Sequence, residues 1–127
     1  MNLIDEMNSF EFGCLGKGVA PKTIKVAEKS LGLSFYKEYG DYLKEFGIAA
    51  VNGHELTGLT TSKRLNVVSV TQEERKYHTV PRDWYVVEQL HIDGVVVWQS
   101  TNGEVYQSLP GQLPTKLCNS LLEYIKL

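Results

Sequence analysis

The sequence predicts an α+β fold: a central antiparallel or mixed sheet with an N-terminal helix pair and a C-terminal helix packed on it. Three observations predict it. Apolar residues recur at helical spacing through residues 21–46. Asp93-Gly94 and Asn102-Gly103 then punctuate three short β-rich runs. Leu117, Leu121, Leu122 and Ile125 return to helical spacing at the end.

Residues 1–19 carry little pattern, and Gly13, Gly16 and Gly18 make them a loose lead-in. Gly16-Lys17-Gly18 lacks the spacing and the following Ser or Thr of a phosphate-binding loop. Pro21 opens a helix, because its missing N–H would have had no helical partner. Ile24, Ala27 and Leu31 share one face of that helix and Gly32 stops it. Ser34 is placed to cap a second helix bearing Phe35, Tyr39, Tyr42, Leu43 and Phe46. Gly40 weakens this helix by about 1 kcal/mol relative to alanine, and Gly47 ends it. Its aromatic stripe has the spacing of a buried helix face, which favours core packing over a ligand platform.

After Gly47 the period changes. Residues 48–51 and 55–59 read as short strands around a turn at Asn52-Gly53. Residues 66–70 read as a strand or as the lead into a helix. Thr71 is placed to cap a polar helix over residues 72–77, with Glu73 and Glu74 at its positive end and Arg75 and Lys76 towards its negative end. Pro81 breaks the chain. Strands over residues 84–90, 95–100 and 104–108 follow as an antiparallel meander. Pro110, Gly111 and Pro114 make a loop, and the last helix starts near Thr115.

The 127 residues (14.3 kDa) suit one domain spanning 1–127. An apolar content of 43 % and a charged content of 22 % exclude a disordered or membrane-embedded chain. The longest clean apolar run, Val95-Val96-Val97-Trp98, is far short of a membrane span. The acidic start, Asn2-Leu3-Ile4-Asp5-Glu6, is unlike a signal peptide, so a cytoplasmic protein is expected. Thirteen Lys/Arg against fifteen Asp/Glu argue against general nucleic-acid binding, which needs a basic face. Cys14 and Cys118 form no CxxC, so free buried thiols are expected rather than a zinc or redox site.

No constellation in the chain carries catalysis. His54, His78 and His91 have no helical metal spacing, and no Pro-Cys-x-x-Cys accompanies them. There is no Gly-x-Ser-x-Gly elbow. Cys118 falls mid-helix in this reading, a poor place for an activated thiolate. Asp5/Glu6 and Glu73/Glu74 are adjacent and do not face each other on a helix. The expectation is a protein that is not an enzyme and has no metal or cofactor. A pocket near His54 and Glu55 is the reading left for an enzyme or a small-ligand protein.

Residues 83–109 hold four acids, Asp83, Glu88, Asp93 and Glu104, and no Lys or Arg. Tyr85, Trp98 and Tyr106 lie among them, and Glu104 shares a strand face with Tyr106. Aromatics beside unpaired acids suit a surface that meets a basic protein. The same pattern suits a core-facing aromatic set with ordinary exposed acids, and the sequence leaves both open.

The passage over residues 24–59 resembles the SUKH superfamily, the Smi/Knr-like immunity proteins. The likeness runs through Ala27-Glu28-x-x-Leu31-Gly32-Leu33, then Tyr39-x-x-Tyr42-Leu43-x-x-Phe46-Gly47, then Gly53-x-Glu55-Leu56-x-Gly58-Leu59. Pro81 before a strand, Asp93-Gly94, Asn102-Gly103-Glu104-Val105-Tyr106 and Leu121-Leu122-x-x-Ile125 extend it to residues 20–127. Tyr36, where the family often has Pro, and Gly47-Ile48, where it has a Gly-rich pair, depart from the pattern and leave the subfamily open.

The resemblance implies the Smi/Knr-like fold and a binding protein without shared catalytic residues. Bacterial members neutralise a cognate toxin domain, often a nuclease, inside the producing cell. Fungal members are cell-wall and signalling adaptors. The expected function is therefore an immunity protein, monomeric or weakly dimeric, that covers the substrate surface of a toxin nuclease. A regulatory adaptor of the same fold is the alternative. The expected contact set is Glu55, Tyr85, Glu88, Asp93, Trp98, Glu104 and Tyr106.

Overall fold

The structure is a computed structural model and describes residues 2–127. In chain order it runs α1 (Leu3–Ser9), β1 (Gly13–Leu15), α2 (Pro21–Leu31), α3 (Lys37–Glu45), β2 (Ala49–Val51), β3 (His54–Glu55) and α4 (Val67–Glu74). It continues through β4 (Tyr85–Gln89), β5 (Val96–Gln99), β6 (Val105–Ser108) and β7 (Thr115–Cys118) to α5 (Leu121–Ile125). The fold is α+β, with antiparallel sheets ordered β1-β2-β3 and β4-β5-β6-β7. The chain leaving β3 runs along β4, where Thr57 N–H donates to the Val87 carbonyl at 2.9 Å. No helix among the described residues is long and apolar enough to cross a membrane.

The lead-in is structured, contrary to the sequence expectation. Asn2 Oδ1 accepts from Asp5 N–H at 2.9 Å and caps α1, whose Leu3 and Met7 are buried one turn apart. A helix of 7 residues is too short to stand out as a periodic pattern. β1 adds an edge to β2. Gly18 then crosses α3 so closely that a Cβ there would sit 1.6 Å from the Lys44 carbonyl oxygen. Cys14 is exposed on β1 and Cys118 is half-buried on β7, so neither is the core thiol expected.

Helix α2 follows the expectation, with Pro21 in its first turn and Gly32 in the left-handed conformation at its end (φ 69°). Helix α3 begins at Lys37 and is not capped by Ser34. The segment between the helices is held instead by Glu28, whose Oε2 accepts from Phe35 N–H at 2.8 Å. The Phe35 ring packs edge-on against Tyr85, with centroids 4.9 Å apart.

Helix α4 starts at Val67, earlier than expected, because Asn66 Oδ1 accepts from Val68 and Ser69 N–H. Thr71 is buried inside the helix and its hydroxyl accepts from Val86 N–H at 3.0 Å. The last helix is also displaced. Residues 115–118 pair with β6 as β7, and α5 begins at Leu121, where Ser120 Oγ accepts from Glu123 N–H at 3.0 Å.

The four-stranded sheet is covered on both faces. Tyr85, Val87, Val97 and Val105 pack with α1, α2, α3 and α5 in the main core. Val86, Val96 and Trp98 pack with Val70 and Trp84 on the other side. This is why Trp84-Tyr85-Val86-Val87 and Val95-Val96-Val97-Trp98 read as continuous apolar runs rather than alternating ones.

Two glycines make opposite tests. A Cβ at Gly58 would lie 1.8 Å from the Gly47 carbonyl oxygen, whereas one at Gly40 in α3 meets nothing within 4 Å. In urea unfolding, Gly58→Ala is expected to lose about 3 kcal/mol by overpacking and Gly40→Ala to gain about 0.5–1 kcal/mol of helix preference. A Gly58→Ala chain as stable as the parent would contradict the close backbone approach.

Candidate interaction surface

Three residues of the expected contact set are core residues. Tyr85, Glu88 and Trp98 expose 0 %, 4 % and 0 % of their surface, so none can meet a partner across the folded surface. The physical reason is the two-sided cover of the sheet together with an irregularity in β4. Tyr85 pairs with Gln99 and Val86 with Trp98, but Glu88 pairs with Val97, which leaves Val87 as an extra residue. A bulge of one residue turns every later side chain to the opposite face. Glu88 is thereby delivered to the core side, where simple alternation would place it beside Leu90 on the other face.

Each buried polar group has a structural task. Glu88 Oε1 lies 2.9 Å from His54 Nδ1 and accepts from Tyr124 Oη–H at 2.6 Å, and Oε2 accepts from Glu55 N–H at 2.7 Å. The carboxylate so pins the β2–β3 hairpin and α5 to β4. Burial first, then the hydrogen bond to Glu88, pushes the Tyr124 hydroxyl far above its ordinary range. His54 Nε2 is buried and bonds to nothing among the described residues. A groove of about 410 Å³ beside it is lined by Phe12, Gly13, Asn52, His54 and Glu55.

Tyr85 Oη accepts from Tyr36 N–H at 3.1 Å and donates to Gln99 Oε1 at 2.8 Å. Trp98 Nε1–H donates to Ser108 Oγ at 2.8 Å, and Ser108 Oγ shares a hydrogen bond of 2.7 Å with His78 Nδ1. Ser108 is 1 % exposed, so this Ser–His contact offers no route for a substrate.

The remaining four residues lie on the surface at two separate ends of the meander. Residues 95–100 run between those ends and span about 20 Å at strand rise. At one end Asp93 and Gly94 take positive φ (54° and 73°) in the β4–β5 turn. Glu55 sits on the same side, its backbone tied to Glu88 near the end of β4. Arg64 grips Glu55 through two bonds of 2.7 and 3.2 Å. That hydrogen bond, with the charges of Arg64 and His91, holds the Glu55 carboxyl below its usual range. The turn also thrusts apolar side chains into solvent. Ile92 is 65 % exposed and Leu90 38 %, and Leu113, on the neighbouring β6–β7 loop, is 88 % exposed. A Cβ at Gly94 would lie 3.2 Å from Pro110 of that loop, so the two tips adjoin.

At the other end Glu104 bonds to Lys116, Tyr106 Oη–H and Asn102, and these bonds hold its carboxyl below the usual range. Tyr106 stacks on Trp84 with centroids 4.2 Å apart, and Thr101 donates to Asp83 at 2.9 Å. The acids of residues 83–109 thus form no single patch.

Sequence reasoning missed Ile92 and Leu113. The signal for Ile92 is its place directly before Asp93-Gly94, in a turn where an apolar residue has no core to enter.

His78 carries a testable consequence. Burial lowers its pKa from 6.5, with Glu74 opposing. The unfolded chain therefore protonates first, and stability falls as the pH drops below about 6.5 until the folded ring also protonates. Thermal melts from about pH 7 to about pH 5 should show a decline that is shallower in His78→Gln. Equal slopes in both proteins would contradict it.

The family described as SUKH_5: SMI1-KNR4 cell-wall matches residues 1–126 of the chain. No curated protein matches it.

Proposed function

We propose, since by that match the chain belongs to the SUKH superfamily, that it is an immunity protein. It binds a cognate bacterial toxin domain, a nuclease, in the cytoplasm and blocks the toxin's substrate surface without chemistry of its own. The observation that supports this reading best is the tip made by the turns at residues 90–95 and 109–114. There Leu90, Ile92 and Leu113 stand exposed beside Asp93 and Glu55. Apolar anchors beside Asp93, which has no ion-pair partner among the described residues, suit a basic nuclease cleft: the anchors supply affinity and the free acid helps orient the encounter. Nucleic acid and anionic membrane surfaces fit this tip poorly because Asp93 would face their phosphates.

The family's description also refers to the cell wall. That supports a second reading, a regulatory adaptor of the same fold that uses the tip on a non-toxin protein partner.

The test is co-expression with a toxin domain taken from the genes that flank this one, scored by survival and co-purification. Wild type, as a monomer or weak homodimer, is expected to protect. Ile92→Asp with Asp93→Lys and Leu113→Asp should weaken the complex by at least about 100-fold, corresponding to about 3 kcal/mol. Glu104→Lys, at the far end, should leave affinity within about threefold, as expected of an exposed pair outside the contact. Full protection by the triple variant would overturn the placement. Binding of a different protein, with no protection from the toxin, would favour the adaptor.

A further inference from the structure

A second charged feature lies at the opposite end of β4 from the proposed toxin-facing tip. The C-terminal ends of α2 and α4 and the segment before β4 enclose an open cleft of about 490 Å³. Lys29, Ser30, Gln72, Arg75, Lys76 and Arg82 line it, and no carboxylate does. The acids nearest in sequence are engaged elsewhere. Glu28 bonds to Phe35 N–H, Glu74 to Gln89 and Asp83 to Thr101, whereas Glu73 pairs with Lys76 of the cleft and leaves Lys29, Arg75 and Arg82 as its uncompensated cations. Lys29 and Arg82 are exposed and have no ion-pair partner among the described residues.

Arg75 is held between them. Its Nη2 donates to the Leu31 carbonyl at 3.1 Å and to the Arg82 carbonyl at 2.8 Å. Its Nε is buried with no hydrogen-bond partner among the described residues. Burial, and then the like charge of Arg82, lowers the Arg75 pKa. Arg75 and Arg82 thus bring like charges to one cleft with no ion-pair partner for either among the described residues, an arrangement that an anion would relieve.

We propose that this cleft docks an acidic segment of a protein partner, whose carboxylates engage Arg82 and Lys29 at the rim with Arg75 behind them. The open shape supports a carboxylate-bearing segment over a compact phosphate. The exposed cations Lys29 and Arg82 come from separate segments, one at the end of α2 and one before β4, a spread that suits several carboxylates along a chain better than one compact dianion. A nucleic-acid strand needs a longer basic track than these few residues provide. The site is separate from the toxin-facing tip and stands or falls independently of it.

The experiment is a titration of the ¹⁵N-labelled full chain with a short Glu/Asp-rich synthetic peptide, and separately with inorganic pyrophosphate and a short single-stranded oligonucleotide. The peptide is expected to shift the amides of residues 29–32, 72–76 and 82 saturably, and added salt should weaken the effect. Lys29→Glu with Arg82→Glu should weaken binding by at least about tenfold, a change of about 1.4 kcal/mol. Both positions are exposed, so the amide spectrum of the double variant should otherwise match wild type. Absence of saturable shifts, equal binding by the double variant, or tighter binding of pyrophosphate or the oligonucleotide would each overturn the proposal.

Discussion

The architecture depends on one carboxylate, that of Glu38 in the first turn of α3. Its Oε1 accepts from Leu121 N–H at 2.8 Å and from Gln99 Nε2 at 2.9 Å, and its Oε2 accepts from Leu122 N–H at 2.9 Å. A single side chain so caps the start of α5 and ties it to α3 and to the middle of the sheet. Gln99 passes the connection on to Tyr85, and Tyr85 to the backbone of Tyr36 at the start of α3. The loop closes on itself. Glu38, which has no cationic partner among the described residues, is tolerated here because three N–H donors and a helix N-terminus replace the water it loses.

A second polar seam runs through Thr57. Its hydroxyl donates to the Val86 carbonyl at 2.7 Å, so the Tyr39 hydroxyl, 2.9 Å away, donates to it. Tyr42 donates to the Thr57 carbonyl at 2.7 Å. These bonds explain why the family-like positions of α3 are tyrosines rather than plain apolar residues. Their rings fill the core and their hydroxyls satisfy the segment after β3 that runs along β4. Gly58, in the same motif, is required by the carbonyl of Gly47 that presses against it. The motif is a set of contacts between α3 and the chain after β3.

This economy of buried groups shapes the functional reading. His54, Glu88, Tyr124, Ser108 and His78 are the side chains a chemist would pick for catalysis, yet each is occupied in holding two elements together. What projects outward is a turn tip with isoleucine and leucine at one end of the sheet and a cationic cleft at the other. Both are features of molecular contact.

Local signals determined much of this protein from its sequence. Pro21 and Gly32 bound α2 and the Asn-Gly and Asp-Gly pairs place the turns, because each depends on the conformation of a few adjacent residues; the family motifs identify the fold because they carry the residues of one recurring tertiary contact. The tertiary structure decided which faces are buried. Alternation cannot reveal a bulge at Val87, and so cannot tell that Glu88 turns inward. The continuous apolar runs signal that a second face is covered, but not that Val70 of α4 and Trp84 are what cover it and hide Trp98. Short elements such as α1 and β7 draw their stability from partners distant in the chain, and those partners become visible only once the chain has folded.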